Sequence, residues 1–330
     1  MRKLIALTVI VATLYGGYWF VGRSQIQSRL SEALVQIDAS AYNLRYDSLN
    51  TRGFPSRFDT TVTGLVFEDP ATAMIWSAPV FQLLALSYRP NEVIAVFPNE
   101  QTLSLGHEVF TLMTRDMRAS GKVRPNASLA FETATIEMDN PRIRTQDGAE
   151  LAMAHVLAAM RLTPDTTQTY DAYIQARAIA LPENIRAMID PQNLQPSIIQ
   201  SFRFDSDVTL TAPIELNGAN LPAQISALSV KEFALTWGDV TVAAIGDMVP
   251  DTAGRITGSI SLSARNWRQA LDMAIASGMV GEDRRFLIAG VVNNMDETPH
   301  IPDTLTLTLM INDGSMSLGG FPLGPAPLLR

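Results

Sequence analysis

The sequence predicts a mainly β (α+β) protein: an N-terminal transmembrane helix, then a large, mostly antiparallel, curved β-sheet domain with a few short helices. Three observations predict it. An uncharged apolar run opens the chain, stretches that alternate apolar and polar residues recur almost to its end, and Gly, Pro, Asn and Asp separate those stretches at short intervals.

Arg2 and Lys3 precede the run Leu4–Val21, and Arg23 closes it. Its roughly 18 residues, at about 1.5 Å each, reach about 27 Å, close to the hydrocarbon thickness of a bilayer. A secretory signal has a shorter core and a small-x-small cleavage site. This run ends in Gly16-Gly17-Tyr18-Trp19-Phe20-Val21-Gly22 without one, so an uncleaved anchor over residues 1–23 is favoured over a cleaved signal. Tyr15, Tyr18 and Trp19 fall where an interfacial aromatic belt would lie. The charges before the run orient the N-terminus to the cytoplasm, giving a single-pass inner-membrane protein with a periplasmic domain. Residues 24–39 continue as an amphipathic stalk helix, with Ile26, Leu30, Ala33, Leu34 and Ile37 on one face.

From residue 40 the period changes to two. Tyr42–Ser48 and Phe58–Val66 alternate on either side of the corner Arg52-Gly53-Phe54-Pro55. Further strands are expected at Phe81–Tyr88, Val93–Phe97, Ala130–Met138, His155–Leu162, Ala172–Leu181, Phe202–Leu210, Ser226–Trp237, Thr241–Ile245, Arg255–Ala264 and Thr304–Ile311. Asn312-Asp313-Gly314 turns the last of these into Ser315–Leu318. Helices are expected at Pro182–Ile189 and at Trp267–Ser277, the second capped by Asn266 and ended by Gly278. The tail Gly319–Pro327 should run extended across the sheet. Arg57-Phe58-Asp59-Thr60-Thr61-Val62-Thr63 echoes Arg203-Phe204-Asp205-Ser206-Asp207-Val208-Thr209, and each is followed later by a Trp, Trp76 or Trp237. The echo suggests related halves, 40–190 and 191–330, against chance recurrence of Thr, Val and Phe in β sequence or one continuous domain.

Composition narrows the function. The 330 residues are 47% hydrophobic and 18% charged, with a net charge of −8, which argues against a nucleic-acid partner. Cysteine is absent, which excludes disulfides and thiolate chemistry, and the three histidines (His107, His155, His300) stand far apart. No nucleotide-binding, nucleophile-elbow, zinc or EF-hand motif occurs. No catalytic residue, metal or cofactor is expected. The positive signal is apolar: Phe81–Leu86 and Val93–Phe97 are apolar on both faces, so something covers both sides, and Leu84, Leu86, Ile94 and Val96 are candidate lining of an apolar groove. Ordinary core packing is the competing account.

Several features together are familiar. They are the anchor, Gly53-Phe54-Pro55-Ser56-Arg57, Trp76 with Ala78-Pro79, Trp237 with Gly254-Arg255 and Gly258, and the ending Asn312-Asp313-Gly314 to Gly324-Pro325. This set resembles a bacterial family of envelope proteins catalogued as domain of unknown function 2125 (DUF2125). It is more distantly similar to AsmA-like envelope proteins, whose curved sheets have apolar interiors implicated in lipid handling. The resemblance implies no catalytic residues, only Gly53, Phe54, Pro55, Trp76, Trp237, Gly254, Gly258, Gly324 and Pro325 as structural positions. Two non-catalytic readings follow. One is an anchored periplasmic protein that binds lipid or another hydrophobe in envelope maintenance. The other is an anchored scaffold that recruits an envelope protein without a small ligand.

Overall fold

The computed structural model describes residues 10–11, 13–25, 28, 43–216, 223–278, 281–282, 285, 290, 303–318 and 321–329. Its contacts divide the chain into two units, residues 1–123 with 136–148 and residues 124–135 with 149–330. Residue 190, the sequence-based boundary between halves, lies inside the second.

In the first unit the strands are β1 (Asn43–Arg45), β2 (Ser48–Arg52), β3 (Arg57–Asp69), β4 (Met74–Leu86), β5 (Arg89–Val96), β6 (Glu100–Leu105), β7 (Glu108–Met113), β8 (Asp116–Val123), the end of β9 (Phe131–Asp139) and β10 (Arg142–Thr145). β3 and β4 form the spine, paired antiparallel from Arg57 opposite Leu86 to Asp69 opposite Met74. β1 and β2 share the free edge of β3, while β6 and β5 share that of β4. β8 extends the sheet beyond β5, and β7 then β10 extend it beyond β6. The buried positions of β3 are Phe58, Thr60 and Val62, then Leu65, so the alternation changes phase at Gly64. That residue has φ +61°, and a methyl there would collide with the Asp47 carboxylate. Only glycine turns the strand over at that point without strain.

The second unit contains the start of β9, β11 (Glu150–Ala152), β12 (His155–Leu162), β13 (Thr169–Ala180), β14 (Ile198–Leu210), β15 (Ile225–Trp237), β16 (Val240–Pro250), β17 (Ile256–Arg265), β18 (Thr304–Asn312), β19 (Ser315–Leu318) and β20 (Phe321–Pro325). From β12 to β20 each strand pairs antiparallel with the next in sequence, an uninterrupted meander. The β18–β19 hairpin forms as expected. Asp313 and Gly314 both have positive φ, which a two-residue type I′ loop requires. The tail is extended but joins the sheet, β20 pairing with β19, before Ala326 and Leu329 pack on Met248, Ile256 and Ile311.

The expected strands do not include β6, β7, β8, β10 and β11. β8 does alternate, but its apolar side is Met117, Ala119, Gly121 and Val123, small members among them that carry little hydropathy. β6 has only Leu103 and Leu105 on its apolar side, and β10 and β11 are 4 and 3 residues long. The helices α2 (Glu183–Ile189) and α3 (Trp267–Ala276) form at the expected places. The cap differs. Asn266 has φ 52° and ψ 42°, and its side-chain amide donates to the Asp239 carbonyl instead of accepting from the helix. The echoed segments occupy β3 and β14, but Trp76 lies opposite Phe67 beyond its segment, whereas Trp237 adjoins the pair Thr236–Ser201 before it.

The transmembrane expectation is modified. Among the described residues no helix is long and apolar enough to cross a membrane. The described part of the run forms a helix, α1, at residues 13–25. Residues 1–9 and 12 of the anchor, and the stalk apart from residues 24, 25 and 28, lie outside the described residues.

Gly246 and Gly258 sit on the paired strands β16 and β17, where a methyl on either would meet the neighbouring backbone, the Ser259 or Asp247 carbonyl oxygen. Backbone cannot yield as a side chain can. Gly258→Ala should therefore destabilise the second unit by about 2–3 kcal/mol, against a few tenths for a Gly121→Ala control, which lies in open space without a positive φ. Chemical denaturation of both variants checks this.

Candidate functional site

The meander sorts its side chains by face. Ala158, Ile174, Phe204, Phe233, Ala244, Leu262 and Leu307 lie directly opposite one another across β12 to β18. At about 4.8 Å between strands, this row of apolar side chains is roughly 29 Å long. The parallel row beside it has small members, Ala172, Ser206 and Gly246, which lower the surface along it. Ser206 is fully buried with its hydroxyl unpaired. Burial is uneven along the first row. Leu307 is 6% exposed beside Trp267 of α3, Phe204, Phe233, Ala244 and Leu262 are half-buried, and Ile174 is 42% exposed. The fully buried apolar clusters stand around α3, around Trp237, and around Ile256, Ile311 and Ala326.

The opposite face carries the charges and most hydroxyls, with Leu157, Ile245 and Met310 as apolar members, and a bulge keeps the charges there. Strict alternation would turn Glu232 onto the apolar face. Instead Asp205 faces Glu232 while Ser206 faces Val230, leaving Lys231 as the extra residue. Both charges thereby stay with the polar set, and Val230 and Phe233 stay with the apolar one. Lys231 Nζ lies 3.1, 3.1 and 3.0 Å from carboxylate oxygens of Asp171, Asp205 and Asp207, and Arg161 reaches Asp171 at 2.6 Å. Burial opposes the Lys231 charge but is outweighed by its bonds to Asp207, Asp171 and Asp205, which hold its pKa well above the ordinary lysine value. Burial likewise pushes Asp171 up, and the bonds from Arg161 and Lys231 outweigh it, holding the carboxyl below its usual value. Beside this network an open groove of about 430 Å³ is lined by Lys231, Asp247 and the hydroxyls of Ser229 and Ser261 among others, together with the apolar Val230 and Ile245. Among the described residues no three His, Asp or Glu groups converge as a metal site.

The sequence model of a bacterial family described as "Uncharacterized protein conserved in bacteria (DUF2125)" matches residues 19–327. The chain belongs to the DUF2125 family. No curated protein matches it.

In this DUF2125 protein the four groove candidates do come together. Leu84 faces Ile94 across β4 and β5, with Leu86 and Val96 two residues along on the same side. They form a surface strip, Leu86 and Ile94 being exposed and Leu84 and Val96 half-buried. Polar neighbours border it: Arg57 and Asp59 on β3, Arg118 and Ser120 on β8. The structural positions are accounted for locally. Gly53 (φ +107°) and Pro55, whose peptide bond to Phe54 is cis, shape the β2–β3 turn, with the Arg57 amide donating to the Gly53 carbonyl. Trp76 donates to Gln101 and Trp237 to the Pro196 carbonyl. Gly254 (φ +81°) donates to the Asp251 carbonyl in the β16–β17 turn, Gly324 (φ +132°) bends β20, and Pro325 pairs with Ser315.

The predicted aromatic belt has another role. Tyr15, Tyr18, Trp19 and Gly22 recur at i, i+3, i+4 and i+7, one face of a helix. That face packs on the first unit. Tyr15 bonds Ser87 Oγ at 2.8 Å, Tyr18 donates to the Ser87 carbonyl at 2.6 Å, and Trp19 donates to the Arg57 carbonyl at 2.8 Å. Trp19 stacks on Phe58 and is 2% exposed, and a methyl on Gly22 would lie 2.8 Å from Phe58. The spacing was visible in the sequence but was masked by the uniform hydropathy of the run.

Replacing Lys231 by Met leaves Asp171, Asp205 and Asp207 without their shared cation. The loss should be about 1 kcal/mol at pH 7, because the side chains are partly exposed and screened. A depressed carboxylate pKa contributes stability above its unfolded value and loses it as pH falls through the folded one. Acid therefore neutralises the repulsion left in the variant, and its deficit should shrink below about pH 4. Denaturation midpoints of both proteins across pH 3–7 test the sign.

Proposed function

We propose that this DUF2125 protein is a non-catalytic periplasmic protein, tethered to the bacterial inner membrane through residues 4–21, that holds a lipid or similar elongated hydrophobe on the apolar face of its second unit. The observation that carries this reading is the row from Ile174 to Leu262, apolar across consecutive strands yet only half-buried. An apolar sheet face normally packs under a second layer. Here α3 and the C-terminal tail account for burial at its ends. The row's length suits an acyl chain, since one leaflet of a bilayer is about 15 Å deep. Some ten methylenes laid along it and covered on one side contribute roughly 4 kcal/mol against water before the cost of ordering, so two chains lying side by side are retained far better than one. The tether rests on the uncharged run and on the outward side chains of α1, where Leu14 and Val21 are exposed.

The test is native mass spectrometry with lipid extraction on the full-length protein taken gently from its own membrane. The wild type should carry near-stoichiometric lipid. Ile174→Asp, at an already exposed position, should lose most of it with little change in thermal stability. Leu84→Asn and Ile94→Asn, treated alike, report whether the strip on the first unit contributes. Wild type free of lipid and carrying a stoichiometric protein instead would overturn this reading in favour of a scaffold.

A further inference from the structure

Resting on the tether just proposed, we infer that the first unit sits directly on the bilayer surface, seated by the end of its sheet where the β2–β3 and β4–β5 turns meet, with anionic phospholipid headgroups as the partner. Arg57 pairs with Leu86, so these two turns are neighbours. Both are fastened to α1, one through the Arg57 carbonyl and Phe58, the other through Ser87. The docked helix face leaves its opposite face outward, and Leu14 (70%), Phe20 (59%) and Val21 (60%) are exposed there. A tether inserting that face in a membrane carries the two turns with it, because the bonds from Tyr15, Tyr18 and Trp19 allow no linker between helix and sheet.

The turns themselves have the chemistry of an interface. Phe54 is 56% exposed and stacks on Phe20, continuing the helix's apolar surface onto the sheet. Tyr88, 63% exposed, follows Ser87 on the other turn. Aromatic side chains with apolar bodies and polar tips prefer the headgroup depth. Around them stand Arg23, Arg52, Arg57 and Arg89 against Asp59 and Glu92, a local positive excess in a chain of net charge −8. Arginine stems lie along apolar surface while their heads reach phosphate. This contrast between local and net charge favours an anionic bilayer over an acidic or neutral protein surface as the occupant.

The chain's lack of cysteine makes a direct test simple. Ser56→Cys lies in the exposed β2–β3 turn, and His107→Cys lies in the β6–β7 turn at the opposite end of β4. The 13 residues of β4, at about 3.3 Å each, separate the two ends by roughly 40 Å. Each full-length variant, carrying a polarity-sensitive fluorophore, is reconstituted in phosphatidylethanolamine–phosphatidylglycerol vesicles with nitroxide-bearing headgroups. The label at 56 should be quenched several-fold more than the label at 107. Co-flotation with vesicles but equal, weak quenching at both positions would overturn the seat while leaving the tether intact. Failure to co-float at all would overturn the tether and the seat together.

Discussion

Everything in the second unit depends on the register of its meander. In an antiparallel sheet successive side chains alternate faces, so a slip of one residue would exchange the two sets. Here the pairing aligns the apolar row from Ala158 to Leu307 strand by strand and places most charges and hydroxyls on the other face, with exceptions such as Ile245 opposite Ser261 and Met310 opposite Ser259. The place where the sequence breaks alternation, Lys231-Glu232, coincides with the bulge that restores it. Lys231 is then held by three aspartates from two other strands, so the same residue that corrects the register also clamps it.

Two-facedness of this kind sets up an unequal energetic situation. On the polar face, charges compensate one another locally and hydroxyls stay hydrated, so little is at stake. On the apolar face, each side chain left half-exposed forgoes part of the roughly 25 cal/mol per Å² that burial would contribute. Small residues in the row of Ala172, Ser206 and Gly246 prevent the sheet from filling this surface by itself, and their neighbours Phe204 and Phe233 provide walls. In the first unit the apolar strip of Leu84 and Ile94 is narrower and bordered by charge, which suits solvent and headgroups better than a long chain.

Much of this was legible in the sequence. The strands from His155 to Trp237 and the hairpin at Asp313-Gly314 follow from alternation and turn chemistry alone. The first unit was read less fully, because the apolar sides of β6 and β8 are short or built of small residues, Leu103 and Leu105 in one and Ala119 and Gly121 between Met117 and Val123 in the other, and carry little hydropathy to detect. Asn266 misled as a cap because its side chain found the Asp239 carbonyl, a partner distant in sequence. Hydropathy marked residues 4–21 as membrane-seeking but was blind to the docking face, which rests on polar tips of Tyr15, Tyr18 and Trp19 at helical spacing. The apolar row was hidden for a different reason: Ile174, Phe204 and Phe233 belong to separate strands, and only the register aligns them.

Adjacent residues on β13 offer the most direct test, since Ile174 belongs to the apolar face and Gln175 to the polar one. A photoreactive phenylalanine analogue placed at either position in the full-length protein, irradiated in living cells of its own bacterium, reads what each face touches. Lipid adducts at 174 and none at 175 are what the two-faced sheet predicts. Equal lipid labelling at both positions, or protein adducts alone at 174, would contradict it.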